Sequence, residues 1–447
     1  MNRYCNAKKL KHTLDSYVMG QEKGTKYLCM AIANHLQNIE AQKLGCISSK
    51  ERIYTDCVLL SGPSGCGKSE SYRLLKGLEK EFGVPVCYFT LNGLSSNGSW
   101  RNTKPIATIF NDVFLRAGDI YFAKHGYNTG DNTDKIKREI IEIANHAIIF
   151  LDEFDKLSLK GEDNGLLMYQ ELQAAMLTYI EGTIVPLSEI STSQDITNDD
   201  NDDDEEQVTI TMEDVKLDTS NMLFIMLGAF EGLELITRYR LHNEWLKKTH
   251  KTTIHELYQA TTLGFVVDQE PTAVPTEPEY TYEQLLPTTE DIIQYGFMRE
   301  LVGRIPVRTV YKPLSIDDLT DILLNCKTSV YRDYQRRFLR RGHQLRCNRD
   351  ALREIARIAK ERGTGARGLR NVFAELLQQT EYELSGDDRP LHVLLRGKEI
   401  REGKPPLVRN SIAIIHRKER EYLNQQLVEL LSEQSKQKRK SYRKRRN

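Results

Sequence analysis

Five short apolar runs punctuate the chain, at residues 57–61, 86–90, 147–151, 222–227 and 307–311. Each is nearly free of polar interruption. Strands covered on both faces read this way, because an alternating polar residue would face a core. Between the runs lie segments with helical spacing, at 70–82, 106–114, 135–145 and 166–180. Strand–helix alternation predicts an α/β fold built on a five-stranded parallel sheet. After Pro313 the pattern changes. Residues 316–339, 349–362 and 368–384 read as amphipathic helices, and 417–435 as a last helix. The expected organisation is a large α/β domain over 1–313, a smaller, mainly helical domain over 314–408, and a helical extension over 409–447.

Two stretches interrupt the large domain. Residues 199–206 carry seven acidic side chains in eight positions, which places a loop at about 188–212. A polar stretch with Pro271, Pro275, Pro278 and Pro287 lies in a long insertion at about 240–290. The last twelve residues carry eight basic side chains, a solvated tail or a grip on phosphates.

Charge narrows the classes. In 447 residues Lys plus Arg and Asp plus Glu are both 63, so the net charge is zero and a uniformly basic nucleic-acid binder is excluded. Charged residues make up 28% and hydrophobic ones 39%, as in ordinary globular chains. The longest apolar run, 222–230, is far short of a membrane span, so no membrane partner is expected. Residues 13–24 hold no apolar core of a secretory signal, which points to the cytosol. The eight cysteines include no CxxC pair, so reduced thiols are expected rather than a zinc site or a disulfide framework.

The chemistry begins after the first run. Gly62-Pro-Ser-Gly-Cys-Gly-Lys-Ser69 follows a strand and opens a helix, the context a phosphate-binding loop needs. Gly62, Pro63, Ser64, Gly65, Cys66 and Gly67 curl backbone N–H groups around phosphate oxygens, and the helix N-terminus adds its positive dipole end. Lys68 reaches the β- and γ-phosphates, and Ser69 offers its hydroxyl to Mg²⁺. The third run ends in Asp152-Glu153. Alone, such a pair is commonly a solvated turn. Downstream of the phosphate loop in one sheet, it reads as an Mg²⁺-holding carboxylate, Asp152, and a base for the attacking water, Glu153. The cofactors expected are ATP and Mg²⁺.

These residues and their order resemble the AAA+ superfamily and, within it, the ClpX family of protein-unfolding ATPases. Leu14-Asp-Ser-Tyr-Val-Met-Gly-Gln-Glu22 resembles the adenine-side motif, and Leu151-Asp-Glu-Phe-Asp-Lys-Leu157 the extended Walker B. Tyr179-Ile-Glu-Gly-Thr183 and Gly228-Ala-Phe230 resemble segments around the family's fourth strand. Gly296-Phe-Met-Arg-Glu-Leu-Val-Gly-Arg-Ile-Pro306 resembles the arginine-finger box, and Gly365-Ala-Arg-Gly-Leu-Arg370 the sensor-2 motif. The resemblance covers about residues 10–408. It implies that Val18 and Met19 touch adenine, that Arg304 acts on a neighbouring subunit's ATP, and that Arg367 contacts the γ-phosphate. It implies a homo-oligomer, a hexameric ring that pulls protein substrates through its pore, in some cases into a ClpP-like peptidase.

The departures are specific. The family's zinc-binding N-terminal domain is not expected in this chain. Where the aromatic pore loop belongs, the chain reads Gly98-Ser-Trp-Arg101, with Trp100 either the gripping side chain or a core residue. Leu263-Gly-Phe265 fits the peptidase-docking tripeptide inside the longer insertion, or is a chance turn. No polar residue stands at the sensor-1 place after Leu227. The acidic block 199–206 falls where the family presents a basic loop, leaving either a solvated loop or an entrance that favours basic segments. Two other readings stay open: a motor acting on nucleic acid through the basic tail, and a non-translocating assembly factor.

Overall fold

Each apolar run forms a strand. The computed structural model describes residues 3–46, 56–96, 104–126, 133–159, 166–187, 214–262, 280–386 and 389–410. β1 is Val58–Ser61, β2 Val86–Thr90, β3 Ile148–Asp152, β4 Leu223–Gly228 and β5 Val307–Val310. They form one sheet in the order β2-β3-β4-β1-β5, every neighbouring pair parallel. The chain leaves β1, runs past two strand positions to the edge strand β2, and returns through β3 and β4. Strand order therefore reverses beside β1, and ligands of such sheets bind at the carboxyl ends there.

Burial explains why the runs lack polar residues. Leu59, Cys87, Ile149, Leu151, Phe224 and Met226 enter a core on one face of the sheet. Val58, Leu60, Val86, Ile148, Phe150, Leu223, Ile225 and Leu227 enter a second core on the other. β1 to β4 thus each contribute alternate residues to two apolar layers, which only a continuous hydrophobic run satisfies, whereas β5 at the sheet edge carries Arg308 and Thr309. Ile109–His125 and Thr133–Ala144 cover the first face, and the N-terminal helices Ala7–Asp15 and Glu22–Lys43 cover the second. Asn6 starts the first of these by accepting from the Lys8 and Lys9 amides at 3.0 and 3.3 Å.

Several helix boundaries differ from the sequence pattern. The segment expected at 70–82 is Lys68–Gly77 followed by Glu79–Phe82. Gly77 weakens the join, because glycine is a poor helix former. The helix expected at 106–114 runs instead from Ile109 to His125, since Ile120, Tyr121 and Phe122 continue the buried face beyond Gly118. The single helix expected at 316–339 is two, Ile316–Asn325 and Val330–Arg340. Ser329, at ψ 131°, caps the second, and its hydroxyl donates to the Leu323 carbonyl at 2.5 Å. Part of the insertion near 240–290 is helical, within Leu233–Thr262. Arg240 on this helix meets the buried Asp291 at 3.0 Å.

The chain divides into two units. The first is Met1–Asp318 with Asn325–Lys327 and Thr364–Ala366, and the second is Leu319–Leu324, Thr328–Gly363 and Arg367–Asn447. The second unit carries a small sheet that the sequence pattern did not announce. Gln344–Cys347 pairs parallel with Leu391–Leu395, which pairs antiparallel with Leu407–Asn410. Tyr331 and Tyr334 stack near Phe373 in its core, with ring centroids 6.1 and 5.3 Å away.

All eight cysteines are free thiols, six of them buried, as expected of reduced side chains. No described helix is long and apolar enough to cross a membrane. Residues 97–103, 188–213, 263–279 and 411–447 lie outside the described residues. With them lie Trp100, Leu263, Gly264, Phe265, the acidic block, the final helix and the basic tail.

Candidate active site

The loop after β1 is shaped by backbone geometry that glycine permits. Gly62 has φ +153°, and a Cβ there would lie 2.5 Å from the Tyr311 carbonyl oxygen. Gly67 has φ +110° and caps the helix Lys68–Gly77 in a left-handed conformation. A Cβ on Gly67 would meet Val18 Cγ1 at 3.0 Å, so Val18 packs directly on the loop. Lys68 Nζ folds over the loop and donates to the Gly62 carbonyl and, at 2.9 Å, to that of Pro63. Burial pushes the Cys66 thiol above its ordinary range, which keeps it a neutral packing group.

A buried glutamine joins three segments here. Gln21 Nε2 donates to the Cys66 carbonyl at 3.2 Å and to the Lys312 carbonyl at 2.8 Å, and Gln21 Oε1 accepts from the Lys312 amide at 2.8 Å. It ties the segment bearing Val18 and Met19 to the loop and to the end of β5. Val18 is buried, and Met19 is partly exposed. Sequence reasoning passed over Gln21, whose partners are remote along the chain.

β3 delivers two carboxylates at its carboxyl end. Asp152 Oδ1 accepts from the Glu153 amide at 2.8 Å, and Asp152 Oδ2 accepts from the Tyr88 hydroxyl. Glu153 stands at φ +60°, unusual for a non-glycine residue and a conformation that functional positions hold at a cost of about 1–3 kcal/mol. Its Oε2 accepts from the Asn92 side-chain amide. Both partners come from β2 and the turn after it. Sequence reasoning missed Tyr88 and Asn92, because strand pairing, not spacing, brings them beside β3.

The following turn is stitched to the segment that bears Arg304. Buried Gln173 donates to the Leu157 carbonyl at 2.7 Å and to that of Gly296 at 3.3 Å, and it accepts from the Met298 amide at 2.8 Å. Asp155 accepts from the Phe230 amide at 3.4 Å, beyond the end of β4. Arg304 caps the helix Arg299–Gly303, is half exposed, and pairs with Glu181 at 2.7 Å. An exposed pair of this kind holds the guanidinium weakly, on the order of 0–1 kcal/mol. Arg367 lies in the second unit, on the helix Gly365–Glu383.

The donors suit ATP and Mg²⁺. Left-handed glycines turn amides toward an anion at a helix N-terminus. Ser69 and Asp152 supply the hard oxygen donors that Mg²⁺ prefers. Among the described residues there is no cluster of three or more His, Cys, Asp and Glu placed to hold a metal.

The chain is similar to known proteins over most of its length. The AAA domain (Cdc48 subfamily) family matches residues 121–308, a span holding β3, β4, Arg304 and the start of β5. The ATP-dependent Clp protease ATP-binding subunit ClpX of Treponema denticola is 29% identical over 394 residues, covering 84% of this chain and 76% of that protein. The ATP-dependent clpX-like chaperone, mitochondrial, of Saccharomyces cerevisiae is 29% identical over 420 residues, covering 85% and 78%. The ClpX subunit of Borrelia duttonii is 29% identical over 383 residues, covering 84% and 74%. The chain carries an AAA domain on a five-stranded parallel sheet and is an ATP-hydrolysing enzyme that uses Mg²⁺.

Proposed function

We propose that the chain is a ring-forming, ATP-driven protein unfoldase of the ClpX type. The observation that carries this reading is the coincidence of two things. The phosphate loop and the carboxylates of β3 end on one edge of one sheet, and the similarity to ClpX subunits extends along 84% of the chain rather than over a phosphate loop alone.

In this reading Gly62 to Gly67 bind the phosphates through backbone amides, and Lys68 swings from the Gly62 and Pro63 carbonyls to the β- and γ-phosphates. Ser69 and Asp152 hold Mg²⁺, which when bound neutralises phosphate oxygens. Glu153 accepts a proton from the attacking water, with Asn92 fixing its carboxylate. Arg304 leaves its weak pair with Glu181 to meet the triphosphate of the next subunit, and Arg367 contacts the γ-phosphate. Val18 and Met19 face the adenine. Trp100 grips the polypeptide, and Leu263-Gly-Phe265 is the candidate contact to a ClpP-like peptidase.

A destabilised fluorescent reporter mixed with the chain and ATP is expected to lose fluorescence, and ADP is not expected to support that loss. Arginine fingers are worth on the order of 10³–10⁵ in rate, so Arg304→Ala abolishes turnover while each subunit still binds ATP. Mixing Arg304→Ala with Lys68→Ala subunits restores part of the turnover at mixed interfaces. A reporter left folded despite brisk ATP turnover overturns the unfoldase reading. Full turnover by a monomer overturns the ring.

A further inference from the structure

The carboxylate that the reading above gives to Mg²⁺ is anchored from two directions. Asp152 Oδ1 is held by its own chain, through the Glu153 amide at 2.8 Å. Asp152 Oδ2 is held from the neighbouring strand by the Tyr88 hydroxyl. In the β2–β3 register Tyr88 stands opposite Phe150 and Thr90 opposite Asp152, so the tyrosine reaches two positions along the strand to make this bond. Its ring is clamped: Tyr72 lies over it at 4.7 Å and 31°, and Tyr72 in turn meets Phe150 at 5.5 Å. A ring held between strand and helix delivers its hydroxyl to one point.

We propose that Tyr88 is a positioning residue for Asp152, fixing the plane in which that carboxylate meets hydrated Mg²⁺; this rests on the assignment of Asp152 given above. An ionised carboxylate has about four lone-pair positions. The Glu153 amide and the Tyr88 hydroxyl each take one, and the remaining pairs are directed by those two bonds. Without Tyr88, Asp152 keeps one anchor and can rotate about its side-chain bonds, so part of the ordering has to occur when the metal binds. Groups that orient metal-binding carboxylates typically change metal affinity by 10–100-fold when removed. The proposal concerns the metal, not the nucleotide: the bond it rests on joins β2 to β3.

Tyr88→Phe tests it, because the ring and its packing on Tyr72 survive and only the hydroxyl is lost. The readout is binding of the fluorescent nucleotide mant-ADP to the full chain, titrated with and without Mg²⁺. The expected result is an unchanged affinity without Mg²⁺, which also reports an intact fold, and a gain from Mg²⁺ reduced about tenfold. In an Asp152→Asn background the same substitution should have no further effect on the Mg²⁺ gain. A full Mg²⁺ gain in Tyr88→Phe overturns the proposal, as does a loss of affinity equal with and without the metal. A full Mg²⁺ gain in Asp152→Asn alone removes the assignment of Asp152 itself and the proposal with it.

Discussion

The phosphate loop and the carboxylate end of β3 face the same ligand but are built differently. The loop is fixed by its own backbone: Gly62 at φ +153° and Gly67 at φ +110° set the path, and Lys68 folds onto carbonyls only five and six residues back. The carboxylates are fixed by side chains from another strand, Tyr88 on Asp152 and Asn92 on Glu153. A site made by backbone tolerates changes around it but not within it. A site made by borrowed side chains can be weakened from outside, by residues that never touch the nucleotide.

The comparison is broken most sharply at its two charged centres. Lys68→Ala leaves phosphate charge uncompensated, and ATP affinity is expected to fall on the order of 100-fold or more. Glu153→Gln should keep that affinity while turnover falls on the order of 10²–10⁴, since only proton transfer is lost. Equilibrium binding and single-turnover hydrolysis separate the two. Near-normal turnover in Glu153→Gln would remove the base from β3.

A smaller effect is expected one layer out. Asn92→Ala frees the Glu153 carboxylate without removing it. Turnover should fall on the order of tenfold at unchanged ATP affinity, a loss of positioning rather than of chemistry. Steady-state kcat and KM decide it. A change confined to KM would mean that Asn92 serves binding instead.

A separate effect, on stability and not on turnover, concerns the footing of β3. His35, buried in the helix Glu22–Lys43, bonds through Nε2 to the His146 carbonyl at 2.9 Å, two residues before the strand. Burial pushes both imidazoles down from the ordinary 6.5 to about 4. The unfolded chain therefore binds protons that the folded chain refuses. Stability from these groups is complete above pH 6.5 and is lost as pH falls toward 4, by at most about 1.4 kcal/mol per pH unit for each imidazole. Urea midpoints between pH 7 and 4 should show this slope, and His35→Gln should about halve it, leaving the His146 share. An unchanged slope in that variant would place the acid lability elsewhere.

The sheet was legible because burial on both faces leaves a local mark. The runs at 147–151 and 222–227 had to be apolar throughout to serve two cores, and they stand out without any partner being known. The loop 62–69 was legible for a similar reason, since its glycines answer to backbone angles within the loop. Tyr88 and Asn92 were not. Nothing in their spacing distinguishes them from other polar side chains on a strand and in a turn. The small sheet of the second unit left a faint mark in Leu391–Leu395, whose residues alternate between buried and half-buried. The strong amphipathic helices around it dominate the reading. The breaks after Gly77 and before Ser329 were likewise local choices overridden in the pattern by continuous helical spacing.

The sequence by itself determined which segments become the five strands of the large sheet, where the phosphate loop lies, and which two carboxylates stand at the end of β3. These depend on neighbours in the chain: hydrophobic period, glycine angles, and a charged pair at a strand end. Only the tertiary structure decided that β2 borders β3 and so lends it Tyr88 and Asn92. It decided too that Gln21 ties the loop to β5, and that Gln173 ties the turn after β3 to the segment of Arg304. Those contacts join residues tens to hundreds of positions apart. A hydrogen bond of this kind is set by the stacking order of strands, which no local pattern encodes.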